Sequence, residues 1–158
     1  MESGQDRDIA ALTINFRVCF FYGGIMINIE NELNKLIDNA IKEDEVPIAA
    51  IIMKDNKIIA KAYNKVNKTN NILDHAEILA IKKASKKLDN WRLNDCELYV
   101  TLEPCSMCKE IIKKSRLKKV YYYINQNEYK TESNIAYEYL SENTMFSEKL
   151  KLFFKNKR

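Results

Sequence analysis

Two short motifs that must meet in space constrain this fold more than any other feature of the sequence. The first is His75-Ala76-Glu77, which contains the only histidine, and the second runs from Pro104 to Cys108 with a cysteine at its second and last positions. Imidazole and thiolate are common zinc ligands, and three protein ligands leave one position of a tetrahedral zinc ion open to water. An open position distinguishes a catalytic site from a closed structural one. A chemical role is therefore the first hypothesis.

The size and composition are those of one globular domain. The chain has 158 residues, of which 46% are hydrophobic and 30% are charged, as expected for a single core outside a membrane. We expect residues 29–158 to form the domain and residues 1–28 to be an N-terminal extension that is poorly ordered or dispensable. Met26 is an alternative start. The four cysteines include a C-x-x-C pair far from the histidine and follow no credible export signal, which predicts a reducing, cytoplasmic location.

Hydrophobic spacing and turn residues predict alternating helices and strands. The first half of the chain is predicted to contain a helix over Ile29–Ile41, strands over Ile48–Met53 and Lys57–Tyr63, and a loop from Asn64 to Asn71. A second helix begins at His75, with Asp74 as its N-cap. A strand over Glu97–Leu102, a helix from Pro104 to about Ser115 and a strand over Val120–Ile124 follow. The first two strands form a hairpin through Asp55-Asn56, and the last two are joined by a right-handed parallel crossover. Weaker patterns predict one helix within residues 126–145 and another over Phe146–Lys155. The fold class is α/β.

Glycine is nearly absent from the predicted domain. All three glycines, Gly4, Gly23 and Gly24, precede residue 29. Asn and Asp tolerate the left-handed backbone better than other residues with a side chain. We therefore expect the turns of the domain to use Asn or Asp.

The two motifs place their functional groups at helix starts. Cys105 and Cys108 share one side of a first helical turn, where free N–H groups and the helix dipole favour thiolate. His75 stands at the start of another helix, so the two helix ends can converge on one zinc ion. Zinc lowers the pKa of bound water to roughly 7, and Glu77 lies close enough to transfer the proton. Hydrolytic deamination requires such a nucleophile, proton carrier and metal together.

Two features have simpler interpretations that the sequence leaves open. Cys96 is able to complete a Cys₃His structural zinc site, with Glu77 merely on a helix surface. Lysine and arginine clusters either attract a polyanion or form solvated helix faces. These clusters lie at residues 82–87, 113–119 and 155–158.

At these motifs the chain resembles the zinc-dependent cytidine/deoxycytidylate deaminase superfamily, whose signature combines H-x-E with P-C-x-x-C. More narrowly, it is similar to the tRNA-specific adenosine deaminases of TadA type. The resemblance covers roughly residues 29–158. It rests on Glu45-Val46-Pro47, Asn64, His75-Ala76-Glu77-Ile78 and the segment from Leu98 to Cys108.

The resemblance implies a three-layer α/β/α domain with a central mixed sheet and one zinc ion per chain. His75, Cys105 and Cys108 would bind the zinc, and Glu77 would shuttle protons. Asn64 and the backbone around Ala76 would hold a flipped base. The implied substrate is the wobble adenosine of a tRNA anticodon loop, converted to inosine by a cytoplasmic homodimer that does not contact a membrane.

Departures from the family pattern bear on the substrate more than on the mechanism. Ala49 replaces a usual glycine, Lys109-Glu110 replaces small residues, and no glycine-rich stretch follows Asn125. A free nucleobase or nucleotide deaminase, acting on guanine or on cytosine or cytidine, therefore stays an alternative. A non-catalytic, zinc-containing RNA-binding subunit is another.

Overall fold

The structure is a computed structural model, and it describes residues 18–126, 134–141 and 143–158. The strands are β1 (Cys19–Tyr22), β2 (Ile25–Asn28), β3 (Ala49–Lys54), β4 (Lys57–Tyr63), β5 (Glu97–Leu102), β6 (Lys119–Ile124) and β7 (Ala136–Tyr139). The helices are α1 (Ile29–Lys42), α2 (Val66–Thr69), α3 (Ala76–Leu88), α4 (Ser106–Lys114) and α5 (Thr144–Lys155). Across this described part, no helix combines the length and apolar character that a bilayer crossing needs.

Five strands form the central sheet in the order β4-β3-β5-β6-β7. β3 pairs antiparallel with both β4 and β5, whereas β5, β6 and β7 are parallel to one another. The predicted hairpin and the predicted parallel pairing of β5 with β6 are therefore confirmed, and the sheet is mixed as expected. Because β4 and β5 flank an antiparallel strand, they run in the same direction.

Helices cover both faces of the sheet. Successive side chains of a strand point to opposite faces, and β3 places Ile51 in one core and Ile52 in the other, both fully buried. The Ile52 core contains Ala80 of α3 and Ile112 of α4. The Ile51 core contains Leu33 of α1 together with Phe146 of α5. The three-layer α/β/α architecture is confirmed.

In the described part of residues 126–145, the structure has a strand where a helix was predicted. Ala136–Tyr139 is instead the edge strand β7, which pairs parallel with β6; residues 127–133 and 142 lie outside the described residues. Tyr137 packs against the Ile52 core, and the rings of Tyr139 and Tyr122 are 5.8 Å apart. Strand pairing and aromatic packing decide the conformation of this short segment, and neither is visible in its local periodicity.

The two helices that follow the sequence motifs, α3 and α4, begin later than predicted. α3 begins at Ala76 with His75 as its N-cap, and α4 begins at Ser106 with Cys105 as its N-cap. Asp74 is therefore not the cap; its Oδ1 accepts a hydrogen bond from Asn71 Nδ2 at 3.2 Å. The predicted loop before α3 also contains the short helix α2.

The segment assigned to an N-terminal extension contains the β1–β2 hairpin, which was not predicted. Its turn is Gly23-Gly24, with φ of +57° and +78°, a conformation that glycine adopts at no steric cost. Val18 is buried in the Ile51 core, and its carbonyl accepts a hydrogen bond from Ile29 N at 2.8 Å. Residues 18–28 thus pack on the domain. Residues 1–17 lie outside the described residues, and the dispensability of the segment stays a prediction.

The turns of the domain use Asn and Asp, as predicted. Five such residues have positive φ: Asp44, Asp55, Asn56, Asn70 and Asp89. The exception within the described ranges is Arg116, with φ of +61°, which follows Ser115, the C-cap of α4. Its guanidinium carbon lies 5.6 Å from the centre of the Trp91 ring.

Arg116 offers a test of backbone strain. Replacing it with glycine relieves the left-handed strain, whereas Arg116→Ala loses the same contact with Trp91 and keeps the Cβ. We expect Arg116→Gly to exceed Arg116→Ala in free energy of unfolding by about 1 kcal/mol, measured by urea denaturation. Equal stabilities of the two variants would contradict the assigned conformation.

Candidate active site

The site forms where β4 and β5 end. Because these strands run in the same direction, the segments that follow them reach the same edge of the sheet, where α/β folds commonly bind ligands. His75 precedes α3 and Cys105 precedes α4, each in extended backbone at an N-cap. Neither side chain makes a capping hydrogen bond. Both are thus available to a ligand between the helix ends.

The imidazole and the two sulfurs form one cluster. His75 Nδ1 lies 3.4 Å from Cys108 Sγ and 3.8 Å from Cys105 Sγ, and all three atoms lie within 4.8 Å of one another. Within the described ranges this is the only group of His, Cys, Asp or Glu side chains with metal-binding spacing. Tetrahedral zinc with these ligands separates its donor atoms by about 3.5–3.8 Å. The cluster therefore fits such an ion.

The electrostatics of the cysteine pair favour one thiolate even without an ion. A hydrogen bond with Cys108, with a smaller contribution from His75, lowers the pKa of the Cys105 thiol to about 5. The same hydrogen bond, together with burial, raises the pKa of Cys108. The two sulfurs thus share one proton, which a metal would displace on binding.

Glu77 is the second residue of α3 and is only 4% exposed. Burial is the largest influence on its carboxyl and raises its pKa to about 7. A carboxyl with a pKa near neutrality is well matched to accept and release a proton. Because burying a charged carboxylate costs free energy, its position under the cluster favours a chemical role over a structural one.

A cavity of about 210 Å³ opens above the cluster. Its lining residues include five of the six predicted site residues: Asn64, His75, Ala76, Glu77 and Cys105. The sixth, Cys108, is fully buried beside His75. The structure therefore brings every predicted site residue to one place, although their roles stay proposals.

Sequence reasoning assigned no role to several cavity residues. They are Val46, Ile48, Val66, Asn67, Leu102, Glu103 and Gln126. Glu103 accepts hydrogen bonds from Lys109 Nζ at 2.9 Å and from Gln126 N at 3.1 Å. Lys109, which departs from the family pattern, thus forms a nearly buried ion pair at the cavity wall. Only its position directly after the cysteine motif marked it in the sequence.

The structure decides between the alternatives for Cys96. This residue precedes β5 and is buried in the Ile52 core, whereas Cys105 follows the other end of the same strand. A strand of this length separates its ends by roughly 20 Å. Cys96 is therefore not a fourth ligand.

Two of the basic clusters have lysines on helices, and these lysines lie away from the cavity. Lys86 and Lys87 are in the last turn of α3, and Lys113 and Lys114 are in the last turn of α4. Cations at these positions complement the helix dipole. The site is at the opposite ends of both helices, so these lysines do not surround it.

Metal content distinguishes the predicted ligands from Cys96, the buried cysteine outside the cluster. We expect the wild type to bind one zinc ion per chain and Cys105→Ser to bind almost none, because serine supplies no thiolate. Cys96→Ser is the matched control and should keep its zinc. Elemental analysis of purified protein measures both. Retention of zinc by Cys105→Ser, or its loss from Cys96→Ser, would contradict the assigned cluster.

Comparisons with known proteins agree with this geometry. The profile of the MafB19-like deaminase family matches residues 27–158. The chain is 41% identical over 109 residues to a curated protein named tRNA-specific adenosine deaminase from Rickettsia bellii (strain RML369-C), covering 67% of this chain and 75% of the relative.

Solved structures show the same similarity. One, from biochemical and structural studies of A-to-I editing by tRNA:A34 deaminases at the wobble position of transfer RNA, aligns with a TM-score of 0.62 and 30% identity, covering 70% of this chain and 95% of the other. A guanine deaminase from Bacillus subtilis aligns with a TM-score of 0.58 and 28% identity, covering 82% and 95%.

Proposed function

Because this chain belongs to the MafB19-like deaminase family, we propose that it converts adenosine to inosine at the wobble position of a tRNA anticodon loop. The observation that carries the proposal is a buried carboxyl, Glu77, in the same cavity as His75 and Cys105, with Cys108 buried beside His75. The substrate is inferred from relatives named tRNA-specific adenosine deaminase. The resemblance predicted from the motifs is thereby confirmed at the level of the family.

We propose that His75, Cys105 and Cys108 hold one zinc ion per chain. A zinc ion there would supply Lewis acidity, which makes a bound water acidic enough to serve as the nucleophile near neutral pH. The two helix N-termini favour the thiolate form of the sulfurs that this ligand set requires. The open side of the cluster faces the cavity, where a base would enter.

Glu77 moves protons in this proposal. Its carboxylate accepts the first proton that water loses and donates it to the ring nitrogen. It then accepts the proton of the newly added hydroxyl group and donates that proton to the leaving amine, so the product carries a carbonyl oxygen. In the net reaction, water adds to the purine carbon, the bond from that carbon to the exocyclic nitrogen breaks, and ammonia leaves. The burial that raises the pKa of Glu77 to about 7 suits a group that must both accept and release protons.

Asn64 and the backbone at Ala76 hold the base in the proposed complex. Both line the cavity beside His75 and Glu77. A base must leave its stack to enter such a cavity, and an unpaired anticodon loop allows this at low cost. We further propose that the protein is a cytoplasmic homodimer, as the resemblance implies.

A second candidate is deamination of free guanine, which the structural similarity to a guanine deaminase favours. The metal cluster and Glu77 serve that reaction equally well. A non-catalytic RNA-binding subunit is disfavoured, because such a protein has no use for a carboxyl that is 4% exposed beside the metal ligands.

Replacing Glu77 separates catalysis from metal binding. We expect Glu77→Ala to keep one zinc per chain and nearly full stability, while turnover falls by about 10²- to 10⁴-fold. Glu110→Ala is the control, because Glu110 is an exposed carboxylate on α4. Single-turnover rates, zinc content and urea denaturation of both variants provide the comparison. Normal deamination by Glu77→Ala would refute the mechanism.

Substrate identity is tested by supplying each candidate substrate on its own. Purified protein is incubated separately with an anticodon stem-loop containing a wobble adenosine, with guanine and with cytidine. The proposal expects inosine from the RNA and no xanthine or uridine from the small molecules, measured by liquid chromatography of nucleosides. Xanthine alone would instead establish the guanine reaction.

A further inference from the structure

Glu45 is a buried carboxylate with no role in the proposed reaction. It is fully buried, at 0% exposure, in the segment between α1 and β3. Its Oε2 accepts hydrogen bonds from Asn64 Nδ2 at 3.0 Å and from the Asn67 backbone N–H at 3.2 Å. Its Oε1 accepts one from the Lys68 backbone N–H at 2.5 Å. All of these donors belong to the chain segment that follows β4.

The bond to Asn64 fixes the orientation of an amide that lines the cavity. An ionised carboxylate only accepts hydrogen bonds, so it pairs with the nitrogen of the Asn64 amide and never with the oxygen. The two ends of a free amide are similar in shape, and a flip would exchange a donor for an acceptor. Glu45 therefore determines which polar atoms Asn64 presents to a base.

The other two bonds hold the backbone beside Asn64. Asn67 and Lys68 are the second and third residues of α2, whose N-terminal N–H groups have no partner within the helix. The N-cap of α2, Lys65, makes no capping hydrogen bond with its side chain. Glu45 thus caps this helix from another part of the chain. Val66 and Asn67 also line the cavity, so the carboxylate supports a continuous wall from residue 64 to residue 68.

We infer that Glu45 is a positioning residue that fixes the Asn64 amide and the 64–68 wall in the arrangement that receives the base. This inference rests on the proposed function and extends it to a residue outside the reacting groups. The strand order brings Glu45 next to Asn64. Because β3 lies beside β4, the segment that enters β3 meets the segment that leaves β4. Glu45 does not line the cavity itself, so it acts through Asn64 and α2.

Hydrogen exchange tests the positioning without any substrate. Glu45→Met keeps a side chain of similar length and removes both acceptor oxygens. We expect the backbone amides of Asn67 and Lys68 to exchange at least about tenfold faster in zinc-loaded Glu45→Met than in the wild type, and the Asn64 side-chain amide resonances to shift. Equal exchange rates and unchanged Asn64 resonances would overturn the inference, whatever the substrate is.

A double-mutant cycle tests whether Glu45 acts through Asn64. On the anticodon stem-loop, we expect Glu45→Met and Asn64→Ala each to raise KM about tenfold with a smaller change in kcat. The double variant should match Asn64→Ala within about twofold, because coupled residues are not additive. Glu45→Gln keeps one acceptor for Asn64 but replaces the other oxygen with an NH2 donor, so it should restore KM only in part. Multiplicative effects in the double variant would assign Glu45 a merely structural role and overturn the inference.

Thr101→Val is the matched control for loss of a buried hydrogen bond in the same region. Thr101 Oγ1 accepts a hydrogen bond from Ala49 N at 3.2 Å, and this residue does not line the cavity. Thr101→Val should lower the midpoint of thermal unfolding and leave KM unchanged.

Failure of the proposed function has a different signature: the wild type would leave the RNA unmodified while the backbone amides of Asn67 and Lys68 stayed protected from exchange.

Discussion

The site depends on two strands that run in the same direction on either side of an antiparallel one. β4 and β5 both end at the edge where β3 begins. One end delivers Asn64 and then His75, and the other delivers Cys105. The segment that enters β3 contributes Glu45 between them. The proposed metal ligands, proton carrier and binding wall therefore meet at one edge although they are distant in sequence.

Several polar groups at this edge are buried at a cost to stability. Glu77 and Cys108 are held away from water where a charged form is disfavoured, and the burial of Glu77 is what shifts its pKa towards neutrality. Glu45 and Glu103, in contrast, have hydrogen-bond donors that offset their burial. The donors to Glu103 belong to α4 and to the segment after β6. Hydrogen bonds thus offset the burial of these two carboxylates, whereas at Glu77 the effect of burial on the pKa dominates.

The sequence predicted most of the site because its signals are local. His75 and Glu77 share a triplet, Cys105 and Cys108 share one helical turn, and the two central strands of the sheet have strong hydrophobic runs. The role of Glu45 was invisible, because its partners at Asn64, Asn67 and Lys68 are contributed by tertiary folding. The strand β7 was missed for the same reason, since pairing with β6 decides its conformation. The start of α3 was misplaced because Asp74 is a better capping residue than His75, whereas in the structure Asp74 accepts a hydrogen bond from Asn71 and His75 is the N-cap.

The use of Asn and Asp at left-handed turns also acts on the chain before it folds. A glycine at Asp44, Asp55 or Asn70 would adopt the same turn with less strain, but it would allow many more backbone conformations in the denatured ensemble. With side chains at these corners, less conformational entropy is lost when each turn closes. The domain thus limits the freedom of its unfolded form at the same positions where it reverses direction.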